Sequence, residues 1–365
     1  MFITRRDTLR GFAGAAMLAA GSPSRVVRAD TRTESAVDEP SPVRAIYLNP
    51  RITDSWDGFM GLVDLIDRTE LNAIVIDIKE DQVFYPTDVA LFRACGTVAP
   101  LYDVSAVLGV LAEHEIYAIA RLVVFKDPLV AEARPHLAVH DTETGGLWRD
   151  MNGISWVNPL DEELWEANAA LAVEAAGLGF DEIQYDYIRF PTDGDLSRMD
   201  FGQELTEEAR TNAIASFAAM SAKRLSGTDT RLAADIFGYT LLVPGDLGIG
   251  QNASRLASFF DVLCPMVYPS HFPEGSLLVP GHPNDYPYET IRISMEAGAA
   301  KVDGQSRRLR PWLQDFSLPG MTPYGAAEVR AQINAAEATN TGGWLLWNPD
   351  NNYAEEALNP APQPP

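Results

Sequence analysis

Short apolar segments recur along the chain, and the stretches between them carry apolar residues at helical spacing, as at Phe59, Val63 and Ile66. Strands that alternate with helices pair in parallel through right-handed crossovers. Repetition of this unit over one chain predicts an α/β protein, a single (β/α)8 TIM barrel. The predicted strands are Val43–Leu48, Ala73–Ile78, Tyr117–Val124, Glu182–Ile188, Leu232–Phe237, Val262–Tyr268, Leu309–Gln314 and Gly343–Trp347.

Two further patterns refine this prediction. No Gly-x-Gly-x-x-Gly motif follows the first predicted strand, which argues against a dinucleotide-binding sheet. The most irregular stretches are residues 126–156, 191–202 and 269–288, and each follows a predicted strand. Loops at the carboxyl ends of barrel strands build the active site in this fold, so these stretches are expected to surround it.

The two ends of the chain differ in composition from the segment between them. Residues 30–42 are polar and contain proline, and residues 354–365 end in Asn-Pro-Ala-Pro-Gln-Pro-Pro. Both are predicted to be disordered, the first as a linker and the second as a tail. The barrel is therefore expected to occupy residues 43–353.

The first 29 residues are typical of an export signal. Arg5 and Arg6 form an arginine pair, and an uncharged run of 11 residues follows at Gly11–Gly21. This run is too short to cross about 30 Å of hydrocarbon. Small residues around Ala29 suit a signal peptidase. The sequence predicts a twin-arginine signal peptide at residues 1–29, passage through the twin-arginine export machinery, a periplasmic or extracellular location and no stable membrane anchor.

The charge of the chain disfavours nucleic acid as a partner. Acidic residues number 51 against 28 basic ones, and without residues 1–29 the counts are 50 and 23, a net charge of −27. Such a charge repels phosphate backbones and polyanionic sugars, whereas neutral or cationic polymers remain open. A soluble or salt-adapted surface explains the charge equally well. Cys95 and Cys264 are the only cysteines, and a bridge between them is permitted but not required.

Three aspartates end predicted strands at positions whose alternation turns them into the barrel. These are Asp77, Asp186 and Asp235. Glycoside hydrolysis uses two carboxyl groups, one protonated and one ionised, so all three are candidate catalytic residues. Each could instead cap a helix or pair with a nearby cation.

Aromatic and polar side chains crowd the same strand ends. Sugar rings stack on aromatic faces, although any single aromatic residue is more often part of a core. Tyr47, Tyr187, Phe237, Tyr268, Trp312 and Trp347 are the aromatic residues concerned. The predicted substrate-binding residues are Tyr47, Lys79, Arg121, Tyr187, Arg189, Tyr268, Gln314, Trp347 and Asn348.

Metal and cofactor chemistry has little support in the sequence. The five histidines form no His-x-His or His-x-x-x-His pair, so no metal site is predicted. No Gly-x-Ser-x-Gly elbow is present for a serine hydrolase, and no cofactor motif appears.

Three segments give the chain a family resemblance. They are residues 179–191, which contain Tyr-Asp-Tyr-Ile-Arg-Phe-Pro, residues 74–80 and residues 264–269. With them the sequence resembles a family of glycosyl hydrolases that is catalogued as a domain of unknown function and is distantly related to amylase-type barrels. The resemblance covers nearly all of residues 43–350, and it implies a barrel with a carbohydrate substrate.

Two related barrels help to assign roles. A chitinase-type fourth strand reads Asp-x-x-Asp-x-Asp-x-Glu, and Ile188 stands where its catalytic Glu would be, so that mechanism is excluded. Amylase-type barrels take the nucleophile from the fourth strand and the acid, usually Glu, from the fifth. Asp186 and Asp235 occupy those strands here, and Asp235 is shorter than the usual acid.

The sequence therefore predicts a glycoside hydrolase that cleaves an extracytoplasmic polysaccharide by carboxylate catalysis. A catalytically inactive carbohydrate-binding barrel is the alternative from another class. A sugar lyase or transglycosidase on the same scaffold is the third possibility.

Overall fold

The computed structural model describes residues 40–361 of the chain, so the predicted signal peptide at 1–29 and most of the predicted linker at 30–42 lie outside the described residues. Eight strands form a closed barrel in which neighbours along the chain pair in parallel and β1 pairs with β8. The prediction of a (β/α)8 TIM barrel is confirmed. The strands are β1 (Val43–Leu48), β2 (Ala73–Lys79), β3 (Tyr117–Val123), β4 (Glu182–Asp186), β5 (Arg231–Phe237), β6 (Val262–Met266), β7 (Trp312–Gln314) and β8 (Gly343–Trp347).

Helices cover the outside of the barrel between successive strands. Six of the nine helices described are capped at the first turn by a short polar side chain, as where Asp161 accepts a hydrogen bond from the backbone N–H of Glu163. The same helix ends at Gly179, whose φ of 109° suits glycine. The helices are α1 (Trp56–Arg68), α2 (Ala90–Cys95), α3 (Val104–Glu113), α4 (Pro128–Ala133), α5 (Glu162–Leu178), α6 (Glu207–Leu225), α7 (Ala253–Leu256), α8 (Pro287–Lys301) and α9 (Ala326–Ala338).

Strand alternation divides the buried residues into two layers. Side chains such as Ile74 and Ile76 on β2 point outward and pack under the helices. Ala73 and Val75 on the same strand point inward and meet the interior of the barrel. The next inward position on β2 is Asp77, so the polar strand ends continue the inner layer toward the carboxyl end of the barrel.

A bulge in β2 changes the direction of Lys79. Asp77 lies opposite Arg121 on β3, but the register then shifts and Lys79 lies opposite the outward-facing Leu122. The Nζ atom of Lys79 is 2.8 Å from a carboxylate oxygen of Asp127, and the side chain is 1% exposed. Lys79, predicted from the sequence to bind substrate, therefore points away from the barrel interior, because the extra residue reverses the alternation.

The seam between β1 and β8 closes around a glycine. Gly343 has a φ of 120°, and a Cβ atom there would lie 1.7 Å from the carbonyl oxygen of Val43. No side chain fits at that distance, so the first and last strands can approach as they do only because position 343 is glycine.

The chain after β8 is ordered as far as it is described. Glu355–Ala357 forms a 3-10 helix, the Nε atom of Arg68 lies 2.7 Å from Glu355, and the backbone N–H of Asn359 donates to Glu70 at 2.9 Å. The expectation of a disordered tail from residue 354 is wrong for residues 354–361. Proline-rich composition misled it, because these residues pack against α1.

Two other observations concern single features. Cys95 and Cys264 both carry free thiols, Cys264 inside the barrel and Cys95 at the end of α2. None of the helices within residues 40–361 is both long enough and apolar enough to span a membrane.

Candidate active site

A cluster of charged residues fills the carboxyl end of the barrel. Asp77, Arg121, Asp186 and Asp235 come from β2, β3, β4 and β5, and each is at most 4% exposed. Every one stands at an inward position near the end of its strand, so the closed barrel brings them together. The three aspartates predicted from the sequence are thus neighbours.

Arg121 is the centre of this cluster. Its Nη1 atom donates to Asp77 at 2.5 Å, and Nη2 donates to Asp186 at 2.6 Å. Its Cζ atom lies 6.0 Å from the ring centroid of Tyr47 and 5.3 Å from that of Trp347. Burial opposes the positive charge, but the carboxylates of Asp77 and Asp186 outweigh it and raise the pKa of Arg121 well above its usual range.

Asp77 is sealed beneath the cluster and does not line a cavity. Its second carboxylate oxygen accepts a hydrogen bond from the hydroxyl of Tyr47 at 2.5 Å, and the residue is 0% exposed. Both oxygens are therefore committed, one to Arg121 and one to Tyr47. Asp77 is placed to hold Arg121 rather than to reach a ligand.

Asp186 lies at the cavity wall, and both of its carboxylate oxygens accept hydrogen bonds. Arg121 donates to its Oδ2 atom from both Nε, at 3.1 Å, and Nη2. The backbone N–H of Tyr187 donates to Oδ1 at 2.6 Å. The side chain is therefore fixed in orientation by donors on both sides.

Asp235 has the opposite environment. Its Oδ1 atom accepts a hydrogen bond from the indole N–H of Trp312 at 2.7 Å, while Oδ2 is buried, accepts no hydrogen bond from the described residues and lies 3.9 Å from Nε of Arg121. Burial and then the charge of Asp186 raise the pKa of Asp235 well above its usual range, although Arg121 opposes them. The two carboxyl groups therefore differ in their surroundings, since donors bind both oxygens of Asp186 and only one oxygen of Asp235 accepts a hydrogen bond from the described chain.

The separation of these two groups has an upper limit. The Nε atom of Arg121 lies 3.1 Å from Oδ2 of Asp186 and 3.9 Å from Oδ2 of Asp235, so the two oxygens are at most about 7 Å apart. Both residues line one cavity of about 590 Å³.

Aromatic side chains make up much of the cavity wall, as the sequence predicted. Five of the six predicted aromatic residues line it, and the sixth, Tyr47, lies behind and stacks on Trp347 with ring centroids 4.2 Å apart. The five are Tyr187, Phe237, Tyr268, Trp312 and Trp347.

The chain turns sharply at Tyr187, directly after Asp186. Tyr187 has a φ of 52°, which is uncommon for a residue with a side chain and is often found at functional sites. This turn ends β4 at Asp186, earlier than the predicted end at Ile188. It presents the ring of Tyr187 to the cavity, where the guanidinium of Arg189 lies 4.9 Å from the ring centroid.

Four of the predicted substrate-binding residues do not line the cavity: Tyr47, which lies behind Trp347, and three others. Lys79 pairs with Asp127 outside the barrel interior. Gln314 accepts from the backbone N–H of Ser270 at 3.0 Å, and Asn348 donates to the carbonyl oxygen of Asn352 at 2.7 Å. The structure gives these three residues structural contacts, and none of them lines the cavity.

Other cavity residues were not predicted individually. Tyr239, His271 and Phe272 line the wall from loops that follow β5 and β6. Burial lowers the pKa of His271, which favours its neutral form. The sequence did mark residues 269–288 as an irregular stretch after a strand, and position within a few residues of that strand end is the signal that points to His271 and Phe272.

Comparison with known proteins places these features in a family. A family model described as "putative glycosyl hydrolase domain" matches residues 45–353. A search of curated proteins gave no match.

The chain is also similar to solved structures, of which the PgaB domain and the β-amylase domain described below share its fold. A hypothetical protein from Ruminiclostridium thermocellum ATCC 27405 is 36% identical, with 52% of this chain and 96% of that chain covered and a TM-score of 0.47. The PgaB (BpsB) glycoside hydrolase domain from Bordetella bronchiseptica is 13% identical, covering 87% of this chain and 99% of its own, with a TM-score of 0.63. The catalytic domain of β-amylase from Paenibacillus polymyxa is 12% identical, covering 89% and 96%, with a TM-score of 0.53.

Proposed function

Because the chain belongs to the family described as putative glycosyl hydrolase domains, we propose that it hydrolyses glycosidic bonds of a polysaccharide with Asp186 and Asp235 as its catalytic carboxyls. One observation carries this proposal. Asp186 and Asp235 line the same cavity. Hydrogen-bond donors of Arg121 and Tyr187 bind both oxygens of Asp186, whereas Oδ2 of Asp235 is buried without a hydrogen-bond partner in the described chain. Glycoside hydrolysis requires this division between an ionised and a protonated carboxyl.

The geometry supports the following reaction. An oxygen of Asp186 attacks the anomeric carbon as the glycosidic C–O bond breaks, and the departing oxygen takes the proton from Asp235. The sugar is then an ester of Asp186. Asp235, now ionised, removes a proton from water as that water attacks the anomeric carbon, which frees Asp186 and returns the proton to Asp235.

The distance limit is compatible with retention of the anomeric configuration. Retaining enzymes hold their carboxyls about 5–5.5 Å apart and inverting enzymes about 6.5–9.5 Å apart. The Oδ2 atoms of Asp186 and Asp235 are at most about 7 Å apart, which admits the first range, and Asp186 comes from the fourth strand, as the nucleophile of amylase-type barrels does. Asp186 is therefore assigned as the nucleophile and Asp235 as the acid and base.

A polysaccharide panel tests the function and its stereochemistry together. We expect purified protein to shorten at least one polymer, with products identified by mass spectrometry. Proton NMR of the first products should show the same anomer as the substrate. Release of the opposite anomer would remove Asp186 as nucleophile, and binding without turnover on every polymer would favour the inactive carbohydrate-binding barrel.

We further propose that the protein works outside the cytoplasm. The arginine pair at Arg5 and Arg6 and the short uncharged run after it support export by the twin-arginine route. Replacing both arginines with lysine should leave the precursor in the cytoplasm, as seen by fractionation and immunoblotting. The same substitution at Arg25 and Arg28, beyond the apolar run, is the matched control and should be exported. Unchanged export of the Arg5 and Arg6 variant would contradict the route.

A further inference from the structure

Arg189 is buried in the cavity wall without an acidic partner. It is 6% exposed and lines the same cavity as Asp186 and Asp235. The other buried arginines of the described chain, Arg121 and Arg310, each bind a carboxylate at hydrogen-bonding distance. Within residues 40–361 no carboxylate forms an ion pair with Arg189.

The acids nearest to Arg189 are committed to other groups. Asp150 accepts a hydrogen bond from the indole N–H of Trp156 at 3.2 Å, and Asp193 accepts one from the backbone N–H of Met151 at 3.1 Å. These two acids, with Asp186, act on Arg189 only through space. The protein therefore leaves its positive charge largely uncompensated.

Aromatic rings hold the guanidinium in place. Its Cζ atom lies 4.8 Å from the ring centroid of Trp156 and 4.6 Å from that of Phe237, in addition to Tyr187. Cation–π contacts are weaker than the penalty for burying an ion without a partner. Burial accordingly lowers the pKa of Arg189. The rings orient the guanidinium of Arg189 but offset only part of the free-energy cost of burying its charge.

One edge of the guanidinium remains available to a ligand. Nη1 donates to the carbonyl oxygen of Phe190 at 3.0 Å and to the hydroxyl of Thr192 at 3.4 Å. Nε and Nη2 donate to no group in the described part of the chain. These two nitrogens form the planar pair of donors that matches a carboxylate.

A second cation lies beside the same ring. The Nζ atom of Lys126 is 5.0 Å from the centroid of Tyr187, and no described carboxylate forms an ion pair with it. Acidic residues outnumber basic ones 51 to 28 in the whole chain. In this acidic protein, Arg189 and Lys126 thus both lie beside Tyr187 without a carboxylate at ion-pairing distance in the described chain.

We propose that Arg189, assisted by Lys126, binds the carboxylate of a hexuronic acid unit, so that the substrate is an acidic polysaccharide. This inference rests on the proposed function, because it concerns the same cavity. It also modifies the expectation, drawn from the net charge of the chain, that polyanionic sugars are repelled. Repulsion by the whole protein is screened beyond about 8–10 Å, whereas Arg189 acts at contact, so a polymer with spaced carboxylates fits best.

The test compares oligosaccharides of alternating hexuronic acid and neutral hexose with the same compounds after their carboxyls are reduced to hydroxymethyl groups. Turnover is measured with the wild type, and binding is measured by calorimetry with the inactive Asp186→Asn variant. We expect the wild type to prefer the acidic compounds in kcat/KM. Arg189→Met should lower kcat/KM for them by about 10- to 100-fold, as for loss of a hydrogen bond to a charged group, and should affect the reduced compounds much less.

Three further variants provide comparisons for Arg189→Met. Arg189→Lys retains the charge but not the paired donors and should fall between wild type and Arg189→Met. Lys126→Met changes a half-buried residue and should lower the acidic preference without loss of fold. Arg292→Met, on the exposed side of α8, should change nothing.

The outcomes separate the two proposals. Equal wild-type turnover of acidic and reduced compounds, with Arg189→Met impairing both alike, would overturn the inference and leave the hydrolase. Selective binding of acidic compounds without turnover would support the inference and overturn the hydrolase. Absence of both turnover and selective binding would overturn both.

Discussion

Replacing Asp186 with asparagine is expected to reduce turnover to near background while the barrel stays folded. The substitution removes the negative charge that faces the developing oxocarbenium ion and the oxygen that forms the covalent intermediate. A substrate with a good leaving group should not rescue this variant, because protonation of the leaving oxygen is not the step it lacks.

Asp235→Asn is the matched comparison. Loss of a positioned acid costs roughly 10²–10⁴-fold, and a leaving group that needs no proton should recover much of this loss in the first step. Asp77→Asn should be intermediate, since Asp77 holds Arg121 and does not reach the cavity. Kinetics on activated and unactivated substrates distinguish the three variants. Full activity of Asp186→Asn would refute its assignment.

The pH profile provides an independent check on Asp235. The acid must carry its proton, so turnover should fall as pH rises through the raised pKa of Asp235. Asp235→Asn has no proton to lose there, and its residual activity should lack this alkaline decline. Retention of the same decline in Asp235→Asn would assign it to another group.

Arg121→Met is expected to have the largest effect on stability, about 3–5 kcal/mol in the free energy of unfolding at pH 7. The variant leaves the carboxylates of Asp77 and Asp186 buried without their common partner. The loss should shrink at low pH, because protonation removes the uncompensated charges. Denaturant unfolding at pH 7 and pH 4 measures both effects.

Two comparisons control this prediction. Arg93→Met breaks an ion pair whose side chains are 61% and 95% exposed and should cost at most about 1 kcal/mol. Adding Asp77→Asn to Arg121→Met removes one stranded anion and should restore part of the stability. An effect of Arg121→Met no larger than that of Arg93→Met would show that the cluster is not an ion-paired unit.

Most of the fold could be predicted because strand periodicity is a local property. The predicted strands coincide with the observed ones to within a few residues, and alternation correctly turned Asp77, Asp186 and Asp235 inward. Lys79 and the early end of β4 could not be predicted in this way. A one-residue bulge and the positive φ of Tyr187 each break the alternation without an apolar pattern to mark them.

The candidate site was predictable only as a set of residue types at strand ends. Sequence placed Asp77 and Asp235 on equal terms, since both end a strand. Only the three-dimensional packing shows that the Tyr47 hydroxyl donates to Asp77, whereas Oδ2 of Asp235 has no hydrogen-bond partner within residues 40–361. Likewise, only the three-dimensional structure shows that Arg189 has no acidic partner among the described residues. Whether a charge is compensated depends on residues distant in sequence.

Gly343, at the seam between β1 and β8, also matters for a chain whose last strand has not yet joined the barrel. Until the strand that begins at Gly343 is in place, β1 and β7 each present a row of unpaired backbone groups to solvent. Such open edges accept strands from other molecules, so the pairing of β8 with β1 and β7 protects the protein against self-association. A larger residue at position 343 would leave both edges exposed even in the complete chain, and aggregation rather than simple loss of stability would be the result.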